Sequence, residues 1–463
     1  MSVFAKLIEP LDGLIDKSKQ KRKCKTLSDQ QWIKTGLLRI LSQEISGRAF
    51  LQKLYDSGQT LLSRSLFFET LKSKRRLKLC QEINFAVSKG IAESESDKDP
   101  FAQFSELDGF DIYAGDGHYH SAAAHDVRKT GKKYPTQHFY AVDLRNHALT
   151  HLTLADTSGS RKREHDIHAL KRLDNKTLRQ SALKGRKVLY VWDKAGIAFM
   201  QWFKWKYGAG IYFIGREKEN MDLLMMGQLP FDKKDPINAG VLGYDYVGCS
   251  AGVSMHRVRY QCPVSGNRYN FVTSMPHMSP GLIAYLYKVR WDIEKIFDQV
   301  KNKLTEKKAW ATTETAKTMQ AQFICLAHNL MLILERYLQQ KGIENKKEDK
   351  RRHVRLESDL NRRSGLRQEN LPSFLKTPRQ ATQRPLKFIR WLRNHLFVNT
   401  LWEEAEASPI GYLLRYFSQR LSRNPEKVRT SPFASSATIW TVSPIPRPMP
   451  SVIASRALTV RRI

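Results

Sequence analysis

Residues 110–116 read FDIYAGD, and with them the sequence changes from a helical period to alternation. Before this point Trp32, Leu37, Leu38 and Leu41, then Phe50, Leu51, Leu54 and Tyr55, recur at helical spacing. Beyond it, β-branched and aromatic residues come in short runs bounded by turn residues. Residues 138–144 and 148–155 read as two further strands around a turn at Arg145, Asn146 and His147, and residues 164–183 as a charged helical segment. Residues 187–193, KVLYVWD, read as a buried strand, 195–207 as an aromatic-rich helix closed by Gly208, and 211–216, IYFIGR, as a fifth strand. The order β-β-β-α-β-α-β predicts an α/β fold, a mixed sheet with helices packed on it.

On the N-terminal side, residues 1–98 read as a helical region. A second helix over 65–84 ends in the basic cluster Lys72, Lys74, Arg75, Arg76 and Lys78, after a turn at Gly58. That outline suggests a DNA-binding helix–turn–helix, although a plain helical hairpin shares it. Residues 92–100, AESESDKDP, read as a linker. On the C-terminal side, residues 105–218 form the first part of the core and 219–277 a β-rich insertion. The insertion has strands at 244–247, 254–261 and 268–274, the last two joined by the turn CPVSGN at 262–267. Residues 278–340 return to helices. Residues 341–463 carry 25 Lys+Arg against 10 Asp+Glu. They divide into a basic region, 341–429, with an amphipathic stretch at 388–397, and a proline- and serine-rich basic tail, 430–463, expected to be disordered.

The whole chain of 463 residues has 78 Lys+Arg against 45 Asp+Glu, a net charge of +33. Hydrophobic types make up 41%, too many for a chain disordered throughout. Such a balance points to a polyanionic partner, nucleic acid before a membrane surface. Residues 1–14 contain Lys6, Glu9 and Asp12 and lack the apolar run of a secretory signal. The greasiest stretch, 323–334, is interrupted by His328 and Asn329 and falls short of the ~20 residues a spanning helix needs. Five scattered cysteines with no CxxC pair suit a reducing, intracellular setting. The spacing of Cys249, His256 and Cys262 fits no usual zinc finger.

Chemistry concentrates in YKVRWDIEKIFDQVK, residues 287–301. Steps of three, four and seven put Tyr287, Arg290, Glu294 and Lys301 on one side of a helix, with Val289, Ile293, Ile296, Val300 and Leu304 opposite. Alone, this would be a solvated amphipathic helix with an Arg290–Glu294 pair. Two further acids end strands: Asp116, followed by Gly117, and Asp193, followed by Lys194. Acids there lie at the carboxyl edge of a sheet, where ligands collect, or else cap helices. Three converging carboxylates need countercharge, and hard Mg²⁺ or Mn²⁺ prefers such oxygens. A pair of ions ~3.5–4 Å apart can activate water and stabilise the leaving oxygen of a phosphodiester. Lys194 would meet a phosphate or face solvent. His118 and His120 in GDGHYH read as surface residues ahead of contacts to metal or DNA, and His165 and His168 as a solvated helix face ahead of a metal site.

The pattern Tyr287-x2-Arg290-x3-Glu294-x6-Lys301 resembles, with no departure, the Y-(2)-R-(3)-E-(6)-K signature of DDE-type bacterial insertion-sequence transposases, the insertion sequence four group. The blocks at Asp116, Asp193 and IYFIGREK are similar to that family's too. The resemblance covers about residues 30–340. It implies an RNase H-like core interrupted by the β-rich insertion, and cut-and-paste DNA transposition. Asp116, Asp193 and Glu294 would bind two Mg²⁺ (or Mn²⁺), and Tyr287, Arg290, Lys301 and Lys194 would touch DNA. The implied setting is cytoplasmic, at the nucleoid and without membrane, and a homodimer is expected because two element ends must be held together. Two rivals remain: a nuclease on the same fold that cuts without joining, and a decayed copy that only binds DNA and regulates.

Overall fold

The computed structural model describes residues 1–20, 22–23, 26–42, 44, 46–58, 62–94, 99–123, 135–155, 166–194, 198–249, 252–263, 265–300, 304, 308–341, 354, 358, 386–396 and 401–407. The tail read at 430–463, most of the basic region before it, Lys301 and His165 lie outside these residues. All described elements belong to one compact unit, Met1–Leu413.

Serines set the starts of five of the six described N-terminal helices; the exception, Leu14–Lys17, follows Gly13. The chain forms α1 (Val3–Ile8), α2 (Leu14–Lys17), α3 (Asp29–Leu41), α4 (Gly47–Asp56), α5 (Arg64–Thr70) and α6 (Lys74–Glu93). Ser2, Ser28, Ser46, Ser63 and Ser73 each accept a backbone N–H at a helix start, and Ser28 forms a reciprocal capping box with Gln31. Such a cap is worth about 1 kcal/mol. The single helix expected over 65–84 is therefore two, because the Ser73 cap restarts it. The basic cluster opens α6 instead of ending a helix, and Asp29 takes two of its members, Arg75 and Arg76.

The core continues as β1 (Phe110–His120), β2 (Thr136–Asp143), β3 (Leu149–Leu154), α7 (Asp166–Lys171), α8 (Asn175–Leu178), β4 (Lys187–Trp192), α9 (Phe199–Ala209) and β5 (Ile211–Arg216). Four more strands follow: β6 (Leu223–Gln228), β7 (Val241–Cys249), β8 (Ser254–Gln261) and β9 (Arg268–Thr273). Helices α10 (Pro280–Val289), α11 (Asp292–Asp298), α12 (Glu314–Gln340), α13 (Leu386–Leu396) and α14 (Trp402–Ala407) complete the described chain.

All nine strands lie in one sheet, ordered β3-β2-β1-β4-β5-β9-β8-β7-β6. β1 and β5 flank β4 in parallel, while β2 and β9 pair antiparallel with β1 and β5. This mixed α/β sheet is consistent with an RNase H-like transposase core. The β-rich segment extends that same sheet through β9 instead of forming a layer of its own. β6, at its far edge, was not anticipated: LLMMGQ does not alternate, and most of it is exposed.

Alternation sorts side chains to two faces. Ile112 and Ala114 of β1 join a core with α1, α3, α6, α10 and α12, whereas Tyr113 joins Tyr190, Trp192, Trp202 and Trp205 on the other. α12 is the main strut of the first face, and α6 and α3 pack along it. A Cβ on Gly36 of α3 would fall 2.1 Å from the Phe323 ring, so only glycine permits that approach. Asn329, one of the polar breaks in the 323–334 stretch, accepts from Leu149 N–H and donates to its carbonyl (2.8 and 3.0 Å), clamping α12 to β3. Other boundaries moved as well. The charged segment at 164–183 is two short helices, α7 and α8, within its described part. α9 runs through Gly208 and ends at Gly210, whose φ of 62° gives the left-handed cap. Among the described residues no helix is long and apolar enough to cross a membrane.

Candidate active site

Parallel pairing of β1 and β4 places two of the acids side by side. The register ends with Gly115 opposite Trp192, so Asp116 and Asp193 are each the next residue of adjacent strands. A Cβ on Gly115 would lie 2.1 Å from the Trp192 ring, so glycine lets the indole pack directly before Asp193. The strand expected to close at Asp116 continues to His120, because residues 116–120 pair with β2. Asp116 is thus held by β2 on one side and lies just past the end of β4 pairing on the other.

The third acid arrives from the helices. α10 and α11 are separated by Arg290 and Trp291, so the single helix read across 287–301 is interrupted at the residue that matters most. Arg290 is only 3% exposed. Its Nη1 lies 3.2 Å from Asp116 Oδ2, and its Nη2 lies 2.9 Å from Glu294 Oε1 and 3.8 Å from Asp193 Oδ1. The Tyr287 hydroxyl donates to Asp193 Oδ1 at 3.3 Å. Side-chain exposure rises from 23% at Asp116 to 36% at Glu294 and 47% at Asp193, so the cluster opens to solvent past the last two.

The electrostatics follow from one cation among three acids. Burial raises the Asp116 carboxyl to about 6; Asp193 and Glu294 add to the rise, while Arg290 and the Gly117 N–H, 2.7 Å from Oδ1, oppose it. Burial alone would lower Arg290, but Asp116, Tyr287, Asp193 and Glu294 together raise it, so it stays charged. Burial also pushes the Tyr287 phenol up to about 12, keeping it a hydrogen-bond donor.

The structure thus brings together Asp116, Asp193, Glu294, Tyr287 and Arg290. Two expectations change. Arg290 and Tyr287 do not line an exposed phosphate-binding stripe; they are buried against the acids. Nor do the acids meet as a ready cage: among the described residues no three His, Cys, Asp or Glu side chains gather closely enough to hold a metal ion. The guanidinium supplies part of the countercharge that the sequence reading assigned to a divalent cation. Lys194 is half-buried beside Asp193.

Other residues escaped the sequence reading. His118 and His120 are buried, not surface residues, and stand with His138 and His151 across β1–β3. His138 Nδ1 and His151 Nε2 are 3.0 Å apart, and burial lowers His120 and His151 to about 3 each. His138 and His151 fall on stretches already read as strands, which was a signal; His118 and His120, past Asp116, had none until β2 pairing placed them. His168 is exposed, as expected. Trp291, 54% exposed directly after Arg290, carried no signal beyond its neighbours.

A comparison with protein families supports the same reading. The model described as "Transposase DDE domain" matches residues 99–330, half of the chain, and its span includes β1, β4 and α11 with all three acids. No curated protein matches the chain. With both the match and the clustered acids in hand, the chain is a member of the DDE transposase domain family.

Proposed function

We propose that this protein cuts DNA at the ends of its element and joins those ends to target DNA, with Asp116, Asp193 and Glu294 as the acids of the DDE triad. The observation that carries the reading is the convergence of these acids on one guanidinium. Three carboxylates against one arginine leave surplus negative charge, and an all-oxygen donor set suits Mg²⁺ or Mn²⁺. By donor type Asp116, Asp193 and Glu294 would hold two such ions, although here the three acids close on Arg290 and not on a metal-sized cage. When bound, the ions supply activation of a nucleophile and stabilisation of the leaving oxygen.

The chain's other groups have separate tasks. The Tyr287 hydroxyl orients Asp193. Arg290 holds the acids in register. Lys194 and Lys301 contribute phosphate contacts, which position DNA without reading its sequence. The net charge of +33 supports a DNA partner. Holding two ends in one complex calls for a homodimer, acting on cytoplasmic DNA at the nucleoid.

A strand-joining assay tests the proposal, with end DNA, a target duplex and Mg²⁺. Joined products support it. Cut but unjoined DNA identifies a nuclease, and binding without cutting identifies a regulator.

A further inference from the structure

α9 has two unlike faces. Trp202 and Trp205 pack on the sheet: Trp202 stacks on Phe213 with centroids 3.7 Å apart, and Trp205 lies 6.4 Å from Trp192. The opposite face carries Met200, Phe203, Lys204, Tyr207 and Gly208, at the spacing of one helical stripe, and all are exposed. Met200 is 51%, Phe203 40% and Tyr207 68% exposed. The outer stripe of a surface helix is normally charged or polar. Here two rings stand together, with centroids 4.4 Å apart and planes at 48°. The Lys206 ammonium lies 5.2 Å from the Tyr207 centroid. From residue 194 to 210 the sequence has Lys194, Lys204 and Lys206 and no acid.

Position adds to composition. α9 is the crossover between parallel β4 and β5, so it runs antiparallel to them, back from the edge that bears Asp193. It starts six residues after Asp193 and spans about 16 Å. Met200, Phe203 and Tyr207 therefore lead away from the catalytic edge in that order.

We infer that the outer face of α9 is a stacking surface for unpaired bases of a DNA strand leading from the catalytic edge. Exposed rings stack on bases of any sequence, and flanking lysines with no acid complement the phosphates. The inference rests on the DNA-processing reading above. A severed strand has a free end whose terminal bases can unstack and lie along such a face.

The test uses the full chain without divalent ions and a fluorescent oligothymidylate of roughly 20 nucleotides, longer than one stacking site. A blunt duplex of the same length serves for comparison. Two double variants are measured, Phe203→Ser with Tyr207→Ser and Phe203→Leu with Tyr207→Leu. The second keeps apolar area, removes the π faces and guards against a fold failure in the first. Both should weaken single-strand affinity by about 10-fold or more, leave duplex affinity within about 2-fold, and leave the sedimentation coefficient unchanged. Native single-strand affinity in the leucine pair overturns the inference. So does a serine pair that changes only the oligomeric state, which would make the face a contact between copies. Strand joining by the unaltered chain is scored separately. If joining occurs but the variants bind normally, only the α9 inference fails; if joining never occurs while the variants lose affinity, only the transposition reading fails.

Discussion

Asp29 and Asp116 both meet arginine inside this protein, with opposite results. Asp29 is 4% exposed and faces two cations. Arg75 donates to Oδ1 and Oδ2 at 2.7 and 2.8 Å, and Arg76 Nε to Oδ1 at 3.3 Å. Burial pushes the Asp29 carboxyl up, but the Arg75 hydrogen bond, the Arg22 N–H and the two guanidinium charges outweigh it, and the net shift is downward. At Asp116 the ratio is inverted: three acids share Arg290, and the carboxyl is raised to about 6. One acid with two arginines is a finished structural joint. Three acids with one arginine are a site still short of positive charge. The stoichiometry, more than the presence of an ion pair, separates fold from function.

The strongest way to break this distinction is to remove the acids. Asp116→Ala, Asp193→Ala and Glu294→Ala should each lower cleavage of end DNA by at least about 10²–10³-fold, the scale of losing one transition-state stabiliser. End binding, followed by anisotropy, should remain. Near-native cleavage by any of the three would take that residue out of the site. Asp29→Ala should act on the other side of the ledger. It strands the buried Arg76 and should cost about 3–5 kcal/mol in urea unfolding, with joining per folded molecule unchanged.

Acid titration sharpens the contrast, since the two carboxyls shift in opposite directions. Asp116 binds its proton more tightly when folded (about 6) than at its ordinary value of 3.8. Its ionisation thus favours unfolding, and stability falls as pH climbs from 3.8 through about 6. Without divalent ions, Asp116→Asn should be more stable than the parent at pH 7 by on the order of 2 kcal/mol, with no gain below pH 3.8. Asp29→Asn should be less stable above pH 3.8, its deficit vanishing as pH falls through the lowered folded value. Matching signs for the two asparagine variants at pH 7 would break the comparison.

The smallest effect concerns salt. Lys194→Ala should reduce the slope of log K against log[salt] by about 0.9, one phosphate contact. Arg75→Ala should leave the slope unchanged, because Asp29 and the Gln20 carbonyl occupy that guanidinium.

These contrasts also mark how far the sequence could be read. Periodicity located β5 and β8 to the residue, because IYFIGR and SMHRVRYQ are bounded by clear turns. It missed β6, whose exposed LLMMGQ has no buried face to impose alternation. It stopped β1 at Asp116, because only pairing with β2 shows that GHYH continues the strand. The acids could be named from strand ends and signature spacing. The role of Arg290 could not, since its partner Asp116 lies 174 positions away along the chain. For the same reason Arg75 and Arg76 looked like a DNA-facing cluster: nothing local shows that Asp29, across α3, consumes them.

The central claim is that the three-acid cluster lacks positive charge and takes it from divalent ions. The direct measurement is the thermal midpoint of the full chain as Mn²⁺ is added, for the parent and Asp193→Asn. A ligand that binds only the folded state stabilises by RT ln(1 + [L]/Kd). The account predicts a midpoint that climbs with Mn²⁺ in the parent and stays nearly flat in Asp193→Asn. Equal climbs in both proteins, or none in the parent, would contradict it.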